Sequence, residues 1–154
     1  MEIERKFLLK ELPSDLEKYP VRHLEQGYLC TGPVVRIRKD NDKYELTYKA
    51  KGMMVREEYN LPLTKEAYEH LKGKIDGRLI TKKRYMIPFE KYTIELDVFE
   101  EPYKNLIIAE VEFESEEQAN NYIPPEWFGR DVSLSGEYQN NVLSRKEFSN
   151  DFKN

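Results

Sequence analysis

Eight runs of this chain alternate charged or polar residues with apolar ones over part or all of their length, and that period of two constrains the fold more than any other feature. The runs are 2–9, 24–30, 34–39, 43–51, 55–61, 79–87, 92–99 and 106–114. Successive side chains of a β-strand point to opposite faces, so residues two apart lie together. Glu2, Glu4 and Lys6 therefore share one face of the first run, and Ile3, Arg5, Phe7 and Leu9 the other. Arg36 and Arg38 oppose Val35 and Ile37; Thr47, Lys49 and Lys51 oppose Leu46, Tyr48 and Ala50. Arg56 pairs with Glu58, Lys82 with Arg84, Glu95 with Asp97, and Glu110 with Glu112. The separators carry turn chemistry: Gly32-Pro33, Asp40-Asn41-Asp42, Lys51-Gly52 and Glu101-Pro102. Connections this short favour antiparallel neighbours.

Helical signals are fewer. Thr64 is placed to cap a helix over 65–72 that Gly73 stops, and Ser115 to Gln118 reads as a capping box opening a helix to Tyr122. A last helix is expected over 137–148 and a single turn over 14–18. The expected class is α+β, dominated by strands.

A single charged pair is ordinary on the solvated face of a half-buried strand. The set is not ordinary, because each strand tends to keep one sign, whereas a surface tuned for solubility mixes them. Acid pairs sit on the first, seventh and eighth runs, and basic pairs on the third, fourth and sixth. An eight-stranded antiparallel β-barrel with these faces inward, and a few short helices packed outside, would give the pattern a use. Buried charges are unfavourable unless they pair or bind ions. A divalent cation on the carboxylates and an anion on the Lys/Arg groups would satisfy both sets. Hard cations such as Mg²⁺ take oxygen ligands and share them with phosphates. Lys and Arg clusters without base-stacking aromatics suit a polyphosphate better than a nucleic-acid strand.

Composition removes other classes. The net charge of −4 gives no basic field for a nucleic-acid partner. One cysteine, Cys30, excludes an internal disulfide, and two histidines exclude a multi-histidine centre. Cys30 is read as a small buried residue, His23 and His70 as surface residues, and Trp127 as a packing anchor. The charged opening has no apolar signal core, and no run approaches the roughly 20 apolar residues that span a bilayer. A cytoplasmic protein with no membrane partner is expected, and 154 residues suit one domain over 1–154.

The opening Glu2-Ile3-Glu4-Arg5-Lys6 resembles the ExExK signature of the CYTH or triphosphate tunnel metalloenzyme superfamily. It is followed in order by Arg36-x-Arg38, Thr47-x-Lys49, Arg56-x-Glu58, Lys82-x-Arg84, Glu95-x-Asp97 and Glu110-x-Glu112. The resemblance implies an eight-stranded tunnel that holds a triphosphate. It implies Glu2, Glu4, Glu110 and Glu112 as metal ligands, with Asp97, Glu95 and Glu58 supporting a second ion. Lys6, Arg36, Arg38, Lys49, Lys51, Lys82 and Arg84 would hold phosphates, and Tyr28 with Lys49 would activate the nucleophile. Mg²⁺ or Mn²⁺ is the implied cofactor.

Hydrolysis of inorganic triphosphate suits a compact chain with no dedicated purine pocket. A class IV-type adenylyl cyclase, a thiamine triphosphatase and a non-catalytic polyphosphate-binding module are the alternatives. Charges inside leave apolar faces outside, so a homodimer is the suggested assembly.

Overall fold

The computed structural model describes residues 1–103 and 105–144. Its frame is a ten-stranded antiparallel sheet. The strands are β1 (Glu2–Leu9), β2 (Val21–Thr31), β3 (Val34–Asp40), β4 (Lys43–Lys49), β5 (Val55–Arg56), β6 (Glu58–Pro62), β7 (Asp76–Phe89), β8 (Tyr92–Phe99), β9 (Ile107–Glu112) and β10 (Phe128–Asp131). The hydrogen-bonded order is β10-β1-β9-β8-β7-β2-β3-β4-β6, with β5 paired to β1 off that path.

The closed eight-stranded barrel expected from the sequence needs a coarser description, because this ladder is an open path. The expected run 55–61 divides instead of forming one strand. Arg56 of β5 pairs with Glu2 of β1, whereas Glu58 of β6 pairs with Lys49 of β4. One short stretch of chain thus joins β6, the last strand at one edge of the path, to β1, next to last at the other, and the sheet must curl to bring them together. The tenth strand was not expected, since Phe128-Gly129-Arg130-Asp131 has no alternating run around it. It pairs with the far end of β1 across a register shift between Phe7 and Leu9. Gly129 permits the approach: a Cβ there would lie 3.1 Å from the Leu9 carbonyl carbon and 3.2 Å from the Leu8 oxygen.

The helices follow their capping signals. Thr64 Oγ1 accepts from the Ala67 N–H at 3.1 Å and starts α1 (Lys65–Lys72). Ser115 Oγ accepts from Gln118 N–H and Gln118 Oε1 from Glu114 N–H, opening α2 (Glu116–Asn121). Arg5 closes the far end of α2, donating to the carbonyls of Ala119 at 2.8 Å and Tyr122 at 3.3 Å. That explains a charged residue on the apolar face of β1. A 3₁₀ turn spans Leu16–Lys18. The expected last helix is broken into a 3₁₀ turn at Gly136–Tyr138 and α3 (Asn140–Leu143); residues 145–148 of it lie outside the described residues.

Alternation sorts the strands as the sequence requires. Ile94, Leu96, Ala109 and Val111 pack with Phe7, Leu9, Tyr122 and Phe128 in one core cluster. A second cluster gathers Leu8, Ile80, Ile108, Tyr138 and Leu143. Trp127 stands edge-on to Phe128 at 4.8 Å. His23 and His70 are exposed. Cys30 is exposed rather than buried, because a register shift between Tyr28 and Cys30 interrupts the pairing of β2 with β3. No helix among the described residues is long and apolar enough to cross a membrane.

Candidate active site

The inward-facing alternate residues of every strand but β10 converge on one cavity of about 580 Å³, its open mouths included. Register makes the lining continuous. Glu4 lies opposite Glu112 and Lys6 opposite Glu110; Glu95 also meets Glu110, and Arg84 meets Asp97. Farther round, Gln26 meets Arg38, Tyr28 meets Arg36, Arg36 meets Thr47, and Lys49 meets Glu58. The opposite, apolar sides of these strands form the first core cluster, so its packing turns the charges into a common space, while Leu8, Ile80 and Ile108 of the second cluster continue the charge-bearing face beyond Lys6, Lys82 and Glu110.

On one side the charges cancel. Arg84 donates Nε and Nη2 to the two carboxylate oxygens of Asp97 at 2.7 and 2.8 Å, and Lys82 Nζ reaches Asp97 Oδ2 at 2.7 Å. Lys82 and Asp97 are wholly buried, and Asn140 Oδ1 accepts from Lys82 at 3.0 Å. Burial lowers the Lys82 ammonium to about 8. Burial opposes ionisation of Asp97, yet Arg84 and Lys82 overcome it and hold the carboxyl below its usual range. Glu110 behaves alike, held low by Lys6 and Arg84 against its own burial.

On another side they do not cancel. Glu2, Glu4 and Glu112 bring one carboxylate oxygen each within 4.8 Å of one another. Burial lifts Glu4 to about 7, with Glu110 adding repulsion. Burial also lifts Glu2 to about 7, helped by hydrogen bonding to Glu58. Glu58 gains what Glu2 loses: despite burial, its bond to Glu2 and the charge of Lys49 bring it down to about 2. Glu112 is pushed up by desolvation and then by Glu95 and Glu4, but it is the exposed member, so solvent screens it most. Three oxygens crowded in this way fit a hard divalent cation, whose charge would remove the penalty for ionising them.

Facing them are cations. Lys6 Nζ lies 3.8 Å from Glu4 and from Glu110. Lys49 Nζ donates to Glu2 at 3.0 Å and lies 3.7 Å from Glu58; burial and Arg36 make it less basic than usual. Arg36 and Arg38 are buried, and their hydrogen bonds go to neutral oxygens, of Thr47 at 3.0 Å and of Gln26 at 2.6 and 2.9 Å. Burial, then Arg36 and Arg84, lowers Arg38 to about 10. The buried Nε groups of Arg36 and Arg56 have no hydrogen-bond partner. Guanidinium groups in this condition call for an anion with several oxygens.

Of the residues singled out in the sequence, Glu2, Glu4, Lys6, Tyr28, Arg36, Arg38, Lys49, Glu58, Arg84, Glu95, Glu110 and Glu112 line this cavity. Lys82 and Asp97 stand behind its wall, bonded to each other. Lys51 is exposed on a bend after β4 and lies outside the lining. Among the implied ligands, the structure gathers Glu2, Glu4 and Glu112, while Glu110 leans on Lys6 and Arg84 and Asp97 is engaged by Arg84 and Lys82. Arg56 and Asn140 were not foreseen as lining residues. Arg56 carried the signal, two residues from Glu58 on the same face. Asn140 had no alternation to mark it, being brought in from the polar segment 133–141. Gln26, two residues before Tyr28, was also missed.

Fold and cavity define a class: an antiparallel sheet whose polar interior sets a carboxylate cluster against buried guanidinium groups. The chain belongs to the CYTH domain family, whose model matches residues 1–144. An inorganic triphosphatase of Nitrosomonas europaea is 38% identical over 149 residues, covering 93% of this chain and 96% of that protein. An inorganic triphosphatase of Acetivibrio thermocellus is 33% identical over 156 residues, covering 97% and 96%. A crystal structure of an inorganic triphosphatase superposes with a TM-score of 0.72 at 33% identity, covering 97% of each chain.

Proposed function

We propose that this protein is a metal-dependent inorganic triphosphatase, acting as one CYTH-like domain over 1–154 with its strands curled into a tunnel. One observation carries the reading: buried Arg36 and Arg38, bonded to neutral oxygens, share a cavity with three carboxylates that converge on one point. A polyanion and a divalent cation bound together complete both halves. The relatives named as inorganic triphosphatases support it from sequence.

In this reading Glu2, Glu4 and Glu112 hold Mg²⁺ or Mn²⁺, with Glu110, Glu95 and Glu58 close by. When bound, the metal supplies charge neutralisation at phosphate oxygens during in-line attack of water on a terminal phosphorus. Lys6, Arg36, Arg38, Lys49, Arg56 and Arg84 align the phosphate chain and stabilise the departing pyrophosphate. Tyr28 and Lys49 act beside the attacked phosphorus. Lys82 and Asp97 serve by fixing Arg84.

The test is phosphate release from inorganic triphosphate with and without Mg²⁺ or Mn²⁺, beside ATP, thiamine triphosphate and pyrophosphate. Metal-dependent turnover preferring inorganic triphosphate is expected. Cyclic AMP from ATP as the main product would replace this reading with the cyclase. A cytoplasmic homodimer completes the proposal, since Tyr48, Tyr59 and Leu61 are exposed on the outside of β4 and β6. A stable monomer in sedimentation at micromolar concentration would remove the dimer.

A further inference from the structure

Gln26 is wholly buried on β2 and lies outside the cavity lining, behind Tyr28 and Arg38. Chemistry fixes the orientation of its amide. Arg38 can only donate, and its Nε and Nη2 both reach one atom of Gln26, at 2.9 and 2.6 Å. That atom is therefore the carbonyl oxygen, and the other must be the NH₂ group. The NH₂ lies 3.2 Å from the Tyr28 hydroxyl, to which it donates. Conjugation with the ring keeps a phenolic proton near the ring plane, which leaves it two positions. The donor from Gln26 fills one, so the proton takes the other. Tyr28 lines the cavity, and its hydroxyl has no second hydrogen-bond partner among the described residues.

We propose that Gln26 is a positioning residue that turns the Tyr28 hydroxyl proton into the cavity, where it donates to an oxygen of the bound phosphate chain. The inference rests on the triphosphatase reading and deepens it. It gives Tyr28 the part of a donor to the anion and leaves acceptance of the water proton to another group. The same amide oxygen holds Arg38 against the wall while leaving Nη1 for the substrate. One neutral side chain thus aims two donors at one anion without cancelling the charge of Arg38.

Gln26→Glu tests the direction of the proton. The replacement has the same shape and still accepts both Arg38 donors, but its second oxygen accepts the tyrosine proton and draws it out of the cavity. Its charge also weakens Arg38, so the comparison must be a double-mutant cycle with Y28F. We expect Q26E to lower kcat/KM for inorganic triphosphate at least about tenfold more in the wild-type background than in Y28F, the scale of one hydrogen bond to a charged group. Equal costs in the two backgrounds would overturn the inference.

Q26M is the second variant. It removes the anchor but leaves the tyrosine proton free to turn inward, so its coupling to Y28F should be smaller than that of Q26E. Coupling as large as that of Q26E would mean that packing, not proton direction, is at work, and would also overturn the inference. Thermal melting of each variant checks folding; if Q26E does not fold, a Q26M coupling to Y28F well below about tenfold supports the inference and one of about tenfold or more overturns it. A folded wild-type protein that neither hydrolyses nor binds inorganic triphosphate in calorimetry would sink the functional reading and the inference together. An active wild type with equal Q26E costs sinks the inference alone.

Discussion

The pocket around Asp97 and the pocket around Glu4 are built from the same residue types at the same two-residue spacing, yet they end in opposite electrostatic states. Asp97 has Arg84 on both its oxygens and Lys82 beside it, with all three groups buried. Glu4 has Lys6 at 3.8 Å, while Glu2 and Glu112 crowd in from neighbouring positions. Burial lowers Asp97's tendency to ionise in principle, but its partners prevail; burial raises Glu4 to about 7 because its partners do not. The comparison teaches where to look for function in a charged interior. A knot that satisfies itself supports the wall, and a corner left unbalanced waits for an ion.

The two pockets should break differently. Glu4→Ala is expected to cut triphosphate turnover about a thousandfold, the upper range for losing one electrostatic contributor to a transition state, while the protein stays folded. Its metal-free melting temperature should hold or rise, since a poorly compensated buried acid has gone. Asp97→Ala should do the reverse, costing about 3–5 kcal/mol of stability by leaving buried Arg84 and Lys82 without their anion. Denaturant unfolding measures it, and a small loss would dissolve the contrast between the pockets.

Arg36→Ala sharpens the comparison on the cationic side. Its guanidinium bonds only neutral Thr47 closely, so its removal should leave stability nearly unchanged. It should raise KM for triphosphate by roughly ten- to a hundredfold, the worth of charge-assisted bonds to an anion.

Acidity separates the pockets again. Glu2 and Glu4 carry pKa values of about 7 in the folded protein against 4.5 for the unperturbed group. Between those values the folded state keeps protons that the unfolded chain releases. The metal-free protein therefore loses stability from these groups as pH rises from 4.5 to about 7. A metal cation competes with those same protons, so the melting-temperature gain on adding Mn²⁺ or Mg²⁺ should be larger at pH 8 than at pH 6. Asp97, held low, contributes the opposite slope, and only at acid pH below its unperturbed value of 3.8. The smallest effect belongs to Lys51→Ala: exposed and outside the cavity, it should leave both turnover and melting within error.

The amino-acid sequence by itself determined the strands and their faces. β1 and β8 span the residues their alternation marks, because a period-two apolar stripe can be buried only by an extended chain. It also determined the caps at Thr64 and Ser115, whose side chains act within one turn. For the same reason it exposed most of the cavity lining, since most inward charges have an outward apolar neighbour in the chain. Only the tertiary structure decided what depends on residues far apart in the chain. It split 55–61 between β1 and β4, where Arg56 and Glu58 choose different partners. It added β10, whose four residues have no pattern and gain their hydrogen bonds from β1. It brought Asn140 to Lys82 across 58 positions of sequence. Above all, it decided which charges cancel. Asp97 and Glu4 look alike in a run of alternating residues, and only the register of neighbouring strands gives one of them two buried cations and the other two competing carboxylates.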